Sequence, residues 1–276
     1  MNKPKLYKTI LMHLILIIGA FIMIIPFVWM ILTAFKTNSE AMQVNPFLIF
    51  PTIWHWDAFV EVIRKMDFPR LYLNTLGLIF GRIVCAVVTA TMAGYALGRL
   101  NFKGKGFAFA LVMAQMMVPS QIFILPQYLM ISKMDKLNTM FALLFPCLVT
   151  AFGTFLLRQA YMGLPKDLEE AARIDGCNIF QTFLFVMAPL TKSSMVALGI
   201  FTALFGYKEL MWPLVVNQEP KAQTLSAALA RMQGLNFTSF PELMAASLLA
   251  CVPMIVIYII FQKQFIEGIA TSGSKL

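Results

Sequence analysis

The sequence predicts an all-α membrane protein with six transmembrane helices, and three observations predict it. Of its 276 residues 59% are apolar and only 13% are charged, against about a quarter charged in a soluble domain. Apolar windows long enough to cross the hydrocarbon core recur along the chain. They are continuous rather than alternating, which argues against the two-residue period of a membrane β-barrel. The whole chain, 1–276, reads as one transmembrane domain.

The first window, 9–32, follows a basic start carrying Lys3, Lys5 and Lys8. It is too long for the apolar core of a secretory signal and has no small-residue cleavage site before Lys36, so it is expected to stay as the first span. His13 near its start reads as an interfacial or packed side chain rather than a ligand. Residues 36–70 mix both signs of charge with Pro46, Pro51, Trp54 and Trp56, the composition of an external loop whose tryptophans anchor it at the membrane surface. The second span is 71–97. Near its end Ala90, Gly94 and Gly98 fall four residues apart, a spacing that admits another helix at close range. Arg82 is the first charge inside a span, and snorkelling, an ion pair or a watery cavity would each accommodate it.

The third span, 107–131, carries Gln115, Pro119, Ser120, Gln121, Pro126 and Gln127. Proline frees backbone carbonyls and polar side chains are costly in lipid, so this segment should face protein or water. The fourth span is 140–157, and Arg158 opens the next loop. The fifth, 193–216, contains Gly206-Tyr207-Lys208-Glu209-Leu210-Met211-Trp212-Pro213. Neighbouring residues on a helix do not face one another, so Lys208 and Glu209 each need another partner or water. The sixth span is 242–261, after an outer loop whose Asn236-Phe237-Thr238 sequon is taken as chance.

Between the fourth and fifth spans lies a polar stretch, 163–189. It reads as a short helix, a glycine turn and a second short helix. Pro165 suits a first helical position, and Asp167, Glu169 and Glu170 favour the positive end of the helix dipole. Gly176 can take the left-handed conformation that closes such a helix. So short a helix is marginal alone and must be held by other parts. Ala171 and Ala172 beside Glu170 would let another surface come close.

The net charge of +9 does not point to nucleic acid, because the basic residues sit at the ends of apolar segments rather than in a patch. Twelve lysines and arginines fall on the side of the N-terminus and eight in the opposite loops, with Arg82 and Lys208 inside the spans. That bias, and Lys3, Lys5 and Lys8 against Lys36, place both termini and the loop 158–192 in the cytoplasm. Cys85, Cys147, Cys177 and Cys251 are too dispersed for a metal site or a disulfide framework. The run ending Gly104-Lys105-Gly106 fails as a phosphate-binding loop: its first glycine is misplaced, Ser or Thr is missing and no strand precedes it. No nucleotide, cofactor or metal site is expected in this chain, and no catalytic residue.

Glu170-Ala171-Ala172, three further residues, Gly176, then Val186 and Ala188-Pro189 resemble the EAA loop of permease subunits of binding-protein-dependent ABC importers. That family usually has Ile and Leu where Val186 and Ala188 stand here. Residues 93–105 resemble the AGYA-x-x-R-L-x-F-x-G-K pattern of the carbohydrate-type, maltose-like permeases. The segment MMVPSQIFILPQYLM, Trp212-Pro213-Leu214, Thr224-Leu225 and Met244-Ala245-Ala246-Ser247 resemble them too. The resemblance implies the type I ABC importer permease fold and a bacterial cytoplasmic membrane. It also implies two ATPase subunits holding ATP and Mg, a second permease subunit, an external solute-binding protein and a sugar or related polar solute, with oligosaccharide favoured.

Under that resemblance Glu169, Glu170, Ala171, Ala172, Asp175, Gly176 and Pro189 are expected to couple to the ATPase. Gln115, Gln121, Tyr207, Glu209 and Trp212 are the candidate path residues, the acid accepting hydroxyl protons and the aromatic faces stacking on sugar rings. An outer interface belt is the alternative for Lys208, Glu209 and Trp212. An ion-coupled secondary transporter is the rival function, but no internal repeat supports it. A membrane enzyme would need clustered catalytic groups, and the two histidines, His13 and His55, stand in neither HExxH nor any comparable motif.

Overall fold

The computed structural model describes residues 6–44, 46, 48–233 and 239–273; Lys3, Lys5 and the sequon at 236–238 lie outside them. Every regular element among the described residues is helical. Contacts group the chain into two compact units, one holding the chain up to Phe68 with Leu229–Ile255, the other Pro69–Ala228 with the stretch from Val256.

Helix α1 (Leu6–Ala34) is apolar on all sides and exposed along nearly its whole length, so lipid or another subunit must cover it. The His13 ring nitrogen Nδ1 meets the Thr9 carbonyl at 2.7 Å on this exposed surface. The loop beyond is stapled by Lys36, whose buried ammonium donates to the Leu48 carbonyl at 2.6 Å and lies 4.6 Å over the Trp29 ring. Helix α2 (Asn38–Met42) opens with a capping box between Thr37 and Glu40. Hydrogen bonds from the Thr52 side chain and from Thr37 pull the Glu40 carboxyl down to about 2. Phe35 gathers the rings of Trp54, Trp56 and Phe59 at 5.1, 4.8 and 5.2 Å. Both tryptophans remain exposed, as surface anchors should. Helix α3 (Asp57–Lys65) follows.

Helix α4 (Phe68–Arg99) is a continuous span. Gly104, at φ +84°, starts α5 (Lys105–Met117), which stops at Val118. A 3₁₀ turn at Ser120–Phe123 leads into α6 (Ile124–Lys133), and the two halves meet at 98°. The span expected over 107–131 is therefore present as two helices broken at Val118 and Pro119. Pro119 has no N–H and holds Val118 extended at φ −91°, ψ 125°, so the helix cannot run through.

Helix α7 (Met140–Leu144) ends in a 3₁₀ turn at Phe145–Cys147 and bends by 48° into α8 (Ala151–Met162), whose first turn is capped by the Thr150 hydroxyl. Arg158 thus lies within α8 rather than at its end. Helix α9 (Asp167–Ile174) leads to α10 (Ile179–Leu190), which carries a π-helical turn at Thr182–Met187. Helix α10 bends by 72° into α11 (Lys192–Lys208). The chain then breaks at Glu209 and Leu210 before α12 (Met211–Val216), so the expected fifth span of 193–216 is also interrupted. Helix α13 (Leu225–Arg231) and the long α14 (Phe240–Gly273), bent at Phe261, complete the chain. In the first unit, Lys65 joins α3 to the start of α14 through Glu242 at 2.8 Å. By length and composition α1, α4 and α14 can cross a membrane, and the three bent pairs raise the spans to six.

Helices α4 and α8 pack closely because small residues line their contact. A methyl carbon on Gly94 would lie 2.8 Å from the Arg158 backbone nitrogen and 2.8 Å from the Leu157 Cβ, and one on Gly153 would lie 3.0 Å from the Ala90 Cβ. The crossing expected from Ala90, Gly94 and Gly98 is therefore present, with α8 as partner. Around it Tyr95, Leu157, Tyr161, Met187 and Leu198 form one buried cluster. Leu78, Ile131, Leu143, Trp212 and Val216 form another. Gly94→Leu is expected to force the two helices apart at a cost of about 1–3 kcal/mol, read as a lowered melting midpoint in detergent. Unchanged melting would mean that the contact is looser than it stands here.

Candidate coupling surface and translocation cavity

The short helix α9 stands because one arginine holds its approach. Arg99 ends α4, where a cation also suits the helix dipole, and its side chain is only 6% exposed. Its Nη1 donates to the carbonyls of Leu164 at 2.9 Å and Tyr161 at 3.5 Å. Its Nη2 donates to the Pro165 carbonyl at 3.2 Å and pairs with Glu169 at 3.1 Å. The Tyr95 hydroxyl, one turn earlier on α4, interacts with the same carboxylate. One guanidinium thus ties the end of α4 to the end of α8, to the turn after it and to α9.

Glu169 consequently turns inward, with its side chain 14% exposed, and Ala172 is buried beside it. The opposite face of α9 presents Glu170, Ala171, Ile174 and Asp175 to the outside. Ile174 is 87% exposed, a large apolar side chain at the tip of a polar segment. At the C-terminus Gly176 adopts φ +85°. Its N–H bonds the Arg173 carbonyl, and the Cys177 N–H reaches back to Ala172 at 2.9 Å, the double closure that a left-handed glycine permits. Asn178 and Gln181 then form a reciprocal cap that starts α10. Pro189 lies exposed in the last turn of α10, next to the 72° bend.

Of the residues expected at the coupling surface, Glu170, Ala171, Asp175, Gly176 and Pro189 are outward, while Glu169 and Ala172 hold the helix down. Ile174 and Arg99 were missed. Ile174 was legible as an apolar residue one turn after Glu170, on the same helical face. Arg99 stands inside the 93–105 pattern, but its reach of more than sixty residues along the chain is set by tertiary packing.

Within the same unit a cavity of about 820 Å³ opens beside Arg82, lined also by Gln115, Cys147, Thr150 and the rings of Phe201 and Phe205. Arg82 Nη2 lies 3.4 Å from Glu209 Oε2, the side chains being 12% and 31% exposed. Glu209 sits where α11 ends, with extended backbone, and its carbonyl accepts the Ser226 hydroxyl at 2.6 Å. Arg82 and Glu209 thus answer each other across α4 and the α11–α12 break, and Lys208 points outward. Irregular backbone at membrane depth is tolerated where protein or a watery cavity receives it.

The remaining candidate path residues are not assembled at this cavity. Gln121 lies exposed in the 3₁₀ turn beyond Pro119, and Tyr207 is half-buried on α11. Trp212 is buried in the second cluster, and its indole N–H donates to the Ala142 carbonyl at 2.8 Å. Its ring braces α12 against α7, so here it offers no face to a sugar.

Arg99→Gln is expected to strand the Glu169 carboxylate in a nearly dry site, at a cost of roughly 3–5 kcal/mol. Adding Glu169→Gln should recover part of that loss. Proteolytic nicking of 163–178 in the purified protein reads the effect, and equal resistance of parent and single variant would contradict the anchoring role.

Known proteins identify the family and the fold of the chain. A family model described as "Binding-protein-dependent transport system inner membrane component" matches residues 90–270. The arabinooligosaccharides transport system permease protein AraQ of Halalkalibacterium halodurans is 33% identical over 258 residues, 93% of this chain and 92% of that protein. The sn-glycerol-3-phosphate transport system permease protein UgpE of Yersinia pestis is 28% identical over 268 residues, 94% of this chain and 95% of that protein. A crystal structure of a bacterial ABC transporter involved in the import of the acidic polysaccharide alginate matches with a TM-score of 0.78 at 20% identity, covering 95% of this chain and 98% of that one. The chain therefore belongs to the inner membrane components of binding-protein-dependent transport systems, as a multi-pass permease subunit with the fold of an ABC importer.

Proposed function

We propose that this subunit forms part of the membrane pathway of an ATP-driven importer for a sugar or related polar solute, with oligosaccharide favoured. Relatives named for arabinooligosaccharides and for sn-glycerol-3-phosphate support that solute class. The observation that carries the coupling reading is the outward face of α9, where Glu170, Ala171 and Ile174 stand free on a helix that Arg99 fixes from behind. Such a face, apolar at its centre and acidic at its rim, suits insertion into a groove on another protein. Two ATPase subunits, which hold the ATP and Mg, receive this surface on the cytoplasmic side. Both termini lie on that side of a bacterial cytoplasmic membrane. A second permease subunit completes the pathway, and an external binding protein delivers the solute.

In mechanism, ATP-driven closure of the ATPases displaces the loop 158–192. Because Arg99 joins that loop to the end of α4, the displacement passes into the spans, which exchange one packing for another and change the side on which the cavity opens. This is a population shift biased by ATP and by the loaded binding protein. Arg82, Gln115 and Glu209 stand along the pathway.

The test is a mild-detergent pull-down of the tagged chain, expected to bring an ATPase and a second permease. Glu170→Lys and Ile174→Asp should each lower ATPase recovery at least about tenfold, equivalent to about 1.4 kcal/mol, with unchanged melting of the permease. Glu209→Gln should assemble normally but import slowly. Transport by the chain alone in liposomes would overturn the whole reading.

A further inference from the structure

We infer that the Arg82 cavity seats an anionic group of the passing solute, a carboxylate or a phosphate ester, in exchange for the Glu209 carboxylate. The inference rests on the transport reading above and narrows its solute class. Among the described residues lining the cavity, Arg82 carries the only charge. The rest of the wall is amide, hydroxyl, thiol and apolar surface, with Gln115, Thr150 and Thr202 able to bond sugar hydroxyls.

Arg82 is also under-used. A guanidinium grips a carboxylate best through two parallel bonds. Here Glu209 takes a single contact at 3.4 Å, the Cys147 thiol also interacts with the guanidinium, and Nη1 is buried without a hydrogen-bond partner. Leaving such a donor unpaired is costly in a dry interior. Glu209 can let go, because it sits at the break between α11 and α12 rather than within a helical turn. An incoming oxyanion that replaces it keeps the charge of Arg82 compensated and can engage the idle nitrogen. A neutral sugar would leave the arginine uncompensated once Glu209 moved, so the exchange favours the acidic solute over its neutral counterpart.

Cys147 lines the same cavity and provides a readout independent of transport. The complete importer would be prepared in membrane vesicles with Cys85, Cys177 and Cys251 changed to serine. The rates at which sulfonatoethyl and trimethylammonioethyl methanethiosulfonate modify Cys147 would then be compared, each relative to its rate with a small free thiol. The expected result is an anion preference of about tenfold or more, retained in Arg82→Lys and lost in the charge-balanced pair Arg82→Gln with Glu209→Gln. Galacturonate and glucose 6-phosphate, added separately, should show which oxyanion protects Cys147, with galactose protecting less. Equal or faster modification by the cation, no modification by either reagent, or protection by galactose as strong as by both acids would overturn the inference. So would a lack of protection by either acid. Normal uptake in the same vesicles without an anion preference removes the anion seat and leaves the transport reading standing. Recovery of the chain without an ATPase removes the transport reading itself.

Discussion

The pairing of Arg99 with Glu169, and the carbonyls gathered by the same guanidinium, set the condition under which the polar loop keeps its shape. Eight residues of helix do not hold their shape in isolation. A helix that transmitted force while fraying would dissipate it. The side chain that prevents this lies at the end of α4, a long continuous span, so the loop is braced on a rigid element rather than on its neighbours in sequence. Burial raises the stakes: with side chains 6% and 14% exposed, the ion pair is shielded from salt, and losing either partner leaves a charge without water.

The bent spans follow from a second constraint, that backbone polar groups inside a bilayer must be satisfied by protein or by a wet cavity. Pro119 and the Glu209–Leu210 break interrupt helices that a purely structural protein would keep intact. Both interruptions lie within the unit that contains the Arg82 cavity. Close packing between α4 and α8 at Gly94 and Gly153 compensates nearby, giving the unit a dense seam beside its open space. Rigid seam and interrupted helices together suit a body that changes its opening without unfolding.

Much of this was legible in the amino-acid sequence. The number and order of spans follow from hydropathy, Gly176 as a left-handed stop from its place after a short polar helix, and the α4 crossing from small residues four apart. What the sequence could not supply was direction around an axis and contact across long separations. Glu169 and Glu170 are adjacent acids, yet one faces inward and the other outward, because only the first reaches Arg99. Trp212 looked like a sugar platform from its neighbours, but a carbonyl on α7 claims its indole N–H. Arg82 and Glu209 were each visible as intramembrane charges, and only the fold shows that they are each other's partner.

The central claim is that α9 moves as one body with the end of α4. Spin labels at Met92→Cys on α4 and Arg173→Cys on α9, both exposed positions and neither on the docking face, would report it in the assembled importer lacking its native cysteines. The account predicts the same inter-label distance and width in nucleotide-free and ATP-bound complexes, with broadening when Arg99 is replaced by glutamine. A distance that changed with ATP while Arg99 was intact would show that the loop swings on its own, and the account would be contradicted.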